Sequence, residues 1–402
     1  VYNHFGPEGN YLHVYAPQFF TERHHTPWGA AINFDGEQRQ WVRRFFLHNA
    51  LYWLEEYHLD GLRLDAVHAI VDDSQPDFLT ELAHTLRHRF SGQRHVHLML
   101  ENDHNAAHYL QRDTGSHPAA YTAQWNDDLH HALHVLLTHE TEGYYQDYAD
   151  APLRHLGRAL AEGFAYQGEP SAYRHAQPRG EPSAQLPATA FVGFVQNHDQ
   201  VGNRALGERI HALCDDAPLR AALAVLLLAP SPPLLFMGQE WGCRQSFAFF
   251  CDFGGDLSGQ VVEGRRKEFA HFPQFRDPAA RERIPDPTAE QTFQSAVLAW
   301  PANNSPAQQA WLKLHRTLLA IRQRELIPRL SKLPGGHGHY TLLTDHALTV
   351  RWLLGDTTTL ILLANMGNSE VNDITCPGYP LLYTTHPEAT APRDPVSYTH
   401  LR

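Results

Sequence analysis

Residues Thr189-Ala-Phe-Val-Gly-Phe-Val-Gln-Asn-His-Asp199 form an apolar run that ends in three polar side chains. Two upstream runs have the same form, since Gly61-Leu-Arg-Leu-Asp65 and His97-Leu-Met-Leu-Glu101 each end in a carboxylate. Charged residues at the C-terminal ends of successive buried strands are how parallel β/α barrels build their active sites. The pattern therefore predicts an α/β fold with its functional side chains at one end of a barrel.

Helix and strand patterns alternate along the chain in the order that a parallel sheet requires. Apolar residues at helical spacing predict helices over residues 38–58, 76–90, 127–139, 150–163, 218–228 and 307–324. Short apolar runs predict strands over residues 60–65, 96–101, 120–124, 188–196 and 233–237. Residues 5–36 and 168–187 are predicted as long loops. The predicted fold is a (β/α)8 TIM barrel over residues 1–327.

Both ends of the chain depart from the barrel pattern. Segments 349–354 and 358–363 alternate in polarity, which predicts a small antiparallel β domain over residues 328–402. The chain begins inside a strand-end motif, Val1-Tyr-Asn-His4, so we expect the first barrel strands to precede it. Residues 1–402 alone are then expected to aggregate or stay inactive, because an opened barrel exposes strand edges. Residues 395–402 fit neither pattern and are expected to be non-native.

The composition is that of a soluble globular protein, with 43% hydrophobic and 19% charged residues. The net charge of −12 and the lack of a Lys/Arg-rich run argue against nucleic-acid and acidic-membrane partners. No stretch approaches the ~18 apolar residues of a membrane span. Four widely spaced cysteines, without a CxxC pair, predict free thiols in a reducing, cytoplasmic compartment, with two disulfides as the alternative.

The carboxylates at the strand ends suit the cleavage of a glycosidic bond. This reaction needs a group that attacks the anomeric carbon and an acid that protonates the departing oxygen. Asp65 is the predicted nucleophile, because Arg63 on the same strand face would hold it ionised. Glu101 is the predicted general acid, because burial behind an apolar strand would raise its pKa. The alternatives are a merely structural Arg63–Asp65 pair and Asp103 as the acid.

The four strand-end segments, at residues 1–4, 61–68, 97–101 and 197–199, resemble in this order the signature regions of the α-amylase superfamily of glycoside hydrolases. The resemblance implies a retaining mechanism on a TIM barrel. It implies Asp65 as nucleophile, Glu101 as general acid/base and Asp199 as the stabiliser of the transition state. Further sugar contacts are implied for Arg63, His4, His68 and His198.

Loop segments at residues 123–134, 141–148, 196–204, 235–242 and 263–269 resemble the branch of that superfamily that hydrolyses maltooligosyl trehalose. The resemblance implies this glycan as substrate, with no cofactor and no metal, although Asn3 corresponds to a calcium ligand in many amylases. Polar loop residues expected to contact the flanking sugars are Asn126, Asp127, Gln239 and Glu240. Aromatic residues expected to line the cleft, because pyranose faces pack on flat rings, are Tyr11, Trp28, Trp125, Trp241 and Phe249.

Two other functions are open at this stage. A glycogen-branching transferase or a plain α-amylase would share the same strand-end motifs. A non-catalytic glycan-binding scaffold would be expected to lack some of the three acids, and Asp65, Glu101 and Asp199 are all present.

Overall fold

A computed structural model describes residues 2–6, 9–26, 29–114, 116–300, 305–367, 369, 371 and 380–385. The strands are β1 Phe20–Thr26, β2 Gly29–Ile32, β3 Gly61–Leu64, β4 His97–Leu100, β5 Ala123–Trp125, β6 Glu169–Ser171, β7 Gln177–Arg179, β8 Phe191–Val192, β9 Gly338–Thr344, β10 Ala347–Leu353 and β11 Thr359–Asn365. The α-helices are α1 Leu12–Tyr15, α2 Arg39–Glu55, α3 Phe78–Phe90, α4 Asp127–Thr138, α5 Pro152–Glu162, α6 His198–Gly202, α7 Ile210–Leu213, α8 Asp216–Leu228, α9 Gly255–Phe269, α10 Pro278–Arg281, α11 Glu290–Ala296 and α12 Pro306–Ile321.

The central sheet has the strand order β3-β4-β5-β8, and every neighbouring pair is parallel. Gly193, directly after β8, forms a further parallel bridge to Pro233. In this register Leu64 lies beside Leu100, so the two strands end at the same level of the sheet. The carboxylates that follow them are thereby brought to one edge, as the predicted β/α barrel requires.

Helices α2 and α3 cover this sheet because each carries an apolar stripe at four-residue spacing. On α3, Phe78, Leu82, Leu86 and Phe90 are all buried in the same hydrophobic cluster as strand residues of β3 and β4. The helix begins at Asp77, whose side chain accepts a hydrogen bond from the Thr80 backbone N–H. Such a cap typically contributes about 1 kcal/mol, which fixes where the helix starts.

The C-terminal sheet is antiparallel, with the strand order β11-β10-β9. It packs on α5, where Trp352 Nε1 donates a hydrogen bond to the Leu160 carbonyl at 2.9 Å. The helix is close enough that a Cβ on Gly157 would lie 2.5 Å from the Tyr340 ring. Glycine at this position therefore lets the sheet and the helix meet.

Several predicted elements were wrong in extent. The loop predicted over residues 5–36 contains the hairpin β1–β2, and the loop over 168–187 contains the hairpin β6–β7. The strand predicted over 188–196 shortens to Phe191–Val192, and the one over 233–237 reduces to the bridge at Pro233. Prolines at 232 and 233 lack the N–H groups that would extend a ladder there.

Two expectations from composition can be compared with the described residues. Among them, no helix combines the length and apolarity needed to cross a membrane. Cys214, Cys243 and Cys251 are free thiols. Cys376 lies outside the described residues.

Candidate active site

Arg63 lies at the centre of the three predicted catalytic carboxylates. Its Nη1 forms an ion pair with Asp65 Oδ1. Its Nη2 lies 3.7 Å from Glu101 Oε2 and 3.9 Å from Asp199 Oδ2. One guanidinium thus faces three acids from the segments that follow three separate strands, and it offsets part of the repulsion among them.

The turn after β3 fixes Asp65 and Glu101 relative to each other. Ala66 adopts a left-handed conformation with φ 43°, which is uncommon for a residue with a side chain. Its backbone N–H donates to Glu101 Oε2. On the other side, Asn3 Nδ2 donates to the Asp65 carbonyl at 2.8 Å. These backbone contacts hold both carboxylates against one rigid turn.

The environment of Glu101 favours its protonated form. Burial raises the pKa of this carboxyl, and although the Ala66 N–H and Arg63 act in the opposite direction, the charges of Asp65 and Asp199 raise it again. Its side chain is 17% exposed, whereas that of Asp199 is 45% exposed. A general acid needs this arrangement, because it must still carry its proton near neutral pH.

This shift predicts the alkaline limb of the pH profile. If Glu101 is the general acid, its protonated form is the active one. Its raised pKa then keeps the proton in place to higher pH, so kcat/KM should fall only above the ordinary glutamate value of 4.5. The pH dependence of kcat/KM on a natural glucan measures this. With an activated glycosyl fluoride, which needs no acid, the Glu101→Gln variant should lack the alkaline limb. If the Glu101→Gln variant keeps the alkaline limb, a group other than Glu101 causes it.

Trp125, at the end of β5, supports the central arginine. The Arg63 guanidinium carbon lies 4.4 Å from the centroid of its ring, within the range of a cation–π interaction. The indole of Trp125 also contacts the His198 ring, with the two ring centroids 6.1 Å apart and the ring planes at 77°. Trp125 thus links Arg63 to the segment that carries Asp199.

Asp199 is positioned by the start of α6. The Asn197 side chain accepts hydrogen bonds from the backbone N–H groups of Asp199 at 2.8 Å and Gln200 at 3.3 Å. His198 Nε2 lies 3.5 Å from Asp199 Oδ1. The run at residues 189–199 therefore ends in a capped turn that holds its carboxylate near Arg63.

A cavity of about 260 Å³ opens beside Glu101 and Asp199. Its lining combines charged and amide side chains with tyrosine and histidine rings. The lining residues are His68, Glu101, Asp103, Asp127, His131, Tyr144, Asp147, Tyr148, Tyr173, Arg174, Arg179, Asn197, Asp199, Gln200 and Asn203. Hydroxyl-rich ligands suit such a surface, since it offers both hydrogen-bonding groups and flat apolar faces.

Asp127 lies within this cavity and is the most perturbed acid there. Burial, together with the charges of Glu101 and Asp103, raises its pKa to about 8. Its Oδ1 accepts a hydrogen bond from Gln200 Nε2 at 3.3 Å. At neutral pH this carboxyl is therefore protonated and able to donate a hydrogen bond to a sugar hydroxyl.

The hairpin β6–β7 contributes Tyr173, Arg174 and Arg179 to the cavity lining, although residues 168–187 were predicted as a loop. Arg174 forms an ion pair with Asp103 Oδ2, and Arg179 Nε donates to the Asp103 carbonyl at 3.0 Å. Tyr173, at the hairpin tip, faces Tyr144 with ring centroids 6.2 Å apart at 90°. Because two arginines bind Asp103, this residue fits the role of general acid less well than Glu101 does.

Other predicted contact residues are placed as follows. His68 lines the cavity, and its Nδ1 accepts from the Asp103 backbone N–H at 3.3 Å. His4 contacts Asn3 Oδ1 beside the Asp65 turn, and burial lowers its pKa. Both histidines are therefore near the carboxylates, as expected of residues that bind the same sugar.

The structure gives two of the predicted polar contacts a packing role instead. Asn126 is 2% exposed and caps α4, accepting from Leu129 N and donating to the Gly163 carbonyl. Gln239 is fully buried, and its Oε1 accepts from the Phe236 backbone N–H at 3.3 Å. Neither side chain is open to a sugar in this conformation. Sequence alone does not show that the Asn126 amide is bonded within the protein or that the Gln239 side chain is buried.

The remaining described residues that were predicted to contact sugars do not line the cavity beside Glu101. Glu240 is half-buried in the turn before Trp241, which is itself 5% exposed and packs on the Trp300 ring at 5.2 Å. Tyr11 is 66% exposed at the start of α1. Phe249 lies against the Arg265 guanidinium, 4.9 Å from its ring centroid. Trp28 lies outside the described residues.

Comparisons with known proteins agree with this geometry. A protein-family profile described as Domain of unknown function (DUF3459) matches residues 335–400. A malto-oligosyltrehalose trehalohydrolase of Deinococcus radiodurans is 43% identical over 329 residues, which cover 81% of this chain and 52% of the relative. A malto-oligosyltrehalose trehalohydrolase of Mycobacterium tuberculosis is 36% identical over 375 residues, which cover 91% of this chain and 61% of the relative. This chain thus spans about half of the length of the first of these relatives and about three fifths of the second.

A solved structure shows the same similarity in three dimensions. It is that of a Salmonella typhimurium protein named as a candidate α-amylase, with a TM-score of 0.88 and 43% identity, covering 99% of this chain and 65% of that one. In sequence and in fold the chain is thus similar to glycoside hydrolases of the α-amylase superfamily. Within that superfamily, its relatives are the malto-oligosyltrehalose trehalohydrolases.

Proposed function

We propose that this protein is a retaining glycoside hydrolase that cleaves the α-1,4 bond next to the terminal trehalose of a maltooligosyl trehalose. The observation that carries the proposal is the grouping of Asp65, Glu101 and Asp199 around Arg63 at the strand ends. The similarity to malto-oligosyltrehalose trehalohydrolases supports the choice of substrate.

In the proposed mechanism Asp65 attacks the anomeric carbon while Glu101 gives its proton to the oxygen that leaves with trehalose. The resulting glycosyl-enzyme is hydrolysed by water, from which Glu101, now ionised, takes a proton. Two inversions give net retention, so NMR of the early product should show the α-anomer at the new reducing end. Asp199 contributes by hydrogen bonds to sugar hydroxyls that strengthen as positive charge develops on the ring.

The cavity beside Glu101 is suited to bind the sugar that leaves when Glu101 protonates the glycosidic oxygen. The general acid must face the departing oxygen, so the leaving sugar lies on the Glu101 side of the cleavage point. On that side, Tyr144 and Tyr173 offer ring faces, and Asp127 offers a hydrogen bond. We therefore propose that this cavity holds the trehalose unit.

The proposal predicts a preference for substrates that end in trehalose. We expect kcat/KM for maltotetraosyl trehalose to exceed that for maltohexaose at least about tenfold, a difference of roughly 1.4 kcal/mol in transition-state binding. The two glucans have equal numbers of glucose units, so the comparison isolates the terminal linkage. Side-by-side incubation with product analysis measures it. Equal rates would favour a plain α-amylase, and new α-1,6 branches would favour a branching transferase.

Two further features are proposed for the chain as a whole. Residues 1–327 would form the catalytic domain and 328–402 the C-terminal β domain, which the antiparallel sheet β9–β11 and the family match at 335–400 support. A cytoplasmic setting is supported by the free thiols of Cys214, Cys243 and Cys251. No cofactor is expected for the reaction.

A further inference from the structure

His24, Asp35 and Asp73 bring three metal-ligating side chains together at a position that the proposed reaction does not use. His24 lies on β1, Asp35 follows β2, and Asp73 lies in the segment between β3 and α3. His24 Nε2 is 2.8 Å from Asp35 Oδ2 and 4.0 Å from Asp73 Oδ2. One ligand atom from each residue lies within 4.8 Å of the other two.

Asp35 is the buried member of the cluster, with a side chain that is 2% exposed. Its Oδ2 accepts from His24 and from the Asp73 backbone N–H at 3.1 Å, which orients the carboxylate. Its Oδ1 is buried without a hydrogen-bond partner, and the nearest cation is Arg23 Nη1 at 3.4 Å. Buried polar atoms without a hydrogen bond are few in folded proteins, and a bound ion is one way in which such an oxygen is satisfied.

Arg23 is only a loosely bound counter-ion. Its side chain is 53% exposed, and its Nη2 lies 3.8 Å from Asp73 Oδ2. The same guanidinium therefore spans both carboxylates at distances longer than good charge-assisted hydrogen bonds. A small divalent cation could take its place and bind the two carboxylates and the imidazole directly.

We propose that His24, Asp35 and Asp73 bind a Zn²⁺ ion that fastens the hairpin β1–β2 to the segment after β3. An imidazole nitrogen with two carboxylate oxygens is a donor set that Zn²⁺ accepts, whereas Ca²⁺ takes oxygen ligands. Tetrahedral ligands at ~2.0–2.1 Å from zinc lie about 3.3 Å apart, so the cluster needs only small side-chain shifts. Water completes the coordination. Because the segment after β3 begins at Asp65, the ion would stabilise one wall of the cleft.

Zn²⁺ titration by calorimetry, with equilibrium dialysis for stoichiometry, tests the proposal. The chain has 29 His, and other histidines can also bind Zn²⁺. The decisive measurement is therefore the loss of one molar equivalent of bound Zn²⁺ in a named variant. His24→Gln and Asp73→Asn should each weaken that equivalent at least about tenfold, whereas His25→Gln, at the exposed neighbouring histidine, should retain it. Arg23→Gln should bind Zn²⁺ more tightly, because it removes the competing cation.

The melting temperature gives an independent readout. Zn²⁺ should raise it in the original protein and in His25→Gln, and not in His24→Gln, since an ion that binds only the folded state stabilises it. Asp73→Asn serves as the second variant, because its side chain is 70% exposed and its loss should not prevent folding. Equal Zn²⁺ binding by His24→Gln and His25→Gln would overturn the proposal. The proposal would also be overturned if the Arg23→Gln variant did not bind a molar equivalent of Zn²⁺.

Discussion

Asp65→Asn should abolish activity on every substrate, whereas Glu101→Gln should spare the reaction of substrates whose leaving group needs no proton. The two carboxyls differ in environment, since Asp65 forms an ion pair with Arg63 while burial raises the pKa of Glu101. Removing a general acid typically costs 10²–10⁴-fold in rate, and an activated leaving group recovers most of that loss. Removing a nucleophile blocks the covalent step for all leaving groups.

The measurement compares a maltooligosaccharide with the corresponding α-glycosyl fluoride for both variants. Asp103→Asn is the matched control, because Asp103 lies two residues from Glu101 and is bound by Arg174 and Arg179. We expect this control to leave the fluoride rate unchanged and to lower the maltooligosaccharide rate far less than Glu101→Gln does. If the fluoride fails to distinguish Asp65→Asn from Glu101→Gln, the assignment of the two roles is wrong.

Asp128→Ala should cost about 3–5 kcal/mol of unfolding free energy, the range found when one partner of a buried ion pair is removed. Asp128 is fully buried and lies 2.8 Å from Arg179 Nη1. Its carboxylate also accepts from the Tyr148 hydroxyl and from the backbone N–H groups of Ala165 and Tyr166. The substitution would leave a buried guanidinium and several donors without an acceptor. Urea denaturation followed by circular dichroism measures the loss.

The control for Asp128 is Asp150→Ala, which removes an exposed aspartate. Asp150 is 69% exposed and lies 3.5 Å from Arg154 and 3.2 Å from His155. Exposed pairs contribute about 0–1 kcal/mol, so this variant should stay close to the original protein. Similar losses for the two variants would mean that the buried network around Arg179 contributes no more than a surface pair.

The strand-end acids could be placed from sequence because their signal is local. An apolar run followed by a carboxylate gives both a strand and a side chain at its end, and parallel strands bring those ends to one edge. Asp65 and Glu101 follow β3 and β4 in this way. Helices α2, α3 and α4 were likewise predictable, since their apolar stripes repeat at helical spacing.

The cavity wall could not be predicted from sequence, because its contacts join distant residues. Arg174 and Arg179 reach Asp103 across more than 70 residues of chain, and no local pattern marks that pairing. Asn126 and Gln239 illustrate the converse problem. Both lie near functional motifs, yet the Asn126 amide is bonded within the protein and the Gln239 side chain is buried, which only the three-dimensional structure shows.

Apart from Glu101 and Asp127, whose environments favour the protonated form, the cavity beside Glu101 is lined by three carboxylates, of Asp103, Asp147 and Asp199, and by two guanidinium groups, of Arg174 and Arg179. A neutral glucan enters such a space without electrostatic cost. A sugar phosphate of the same ring size would bring its charge against a surplus of like charge. The net charge of −12 acts in the same direction at longer range. We therefore expect the acids of the site to disfavour phosphorylated sugars by charge repulsion.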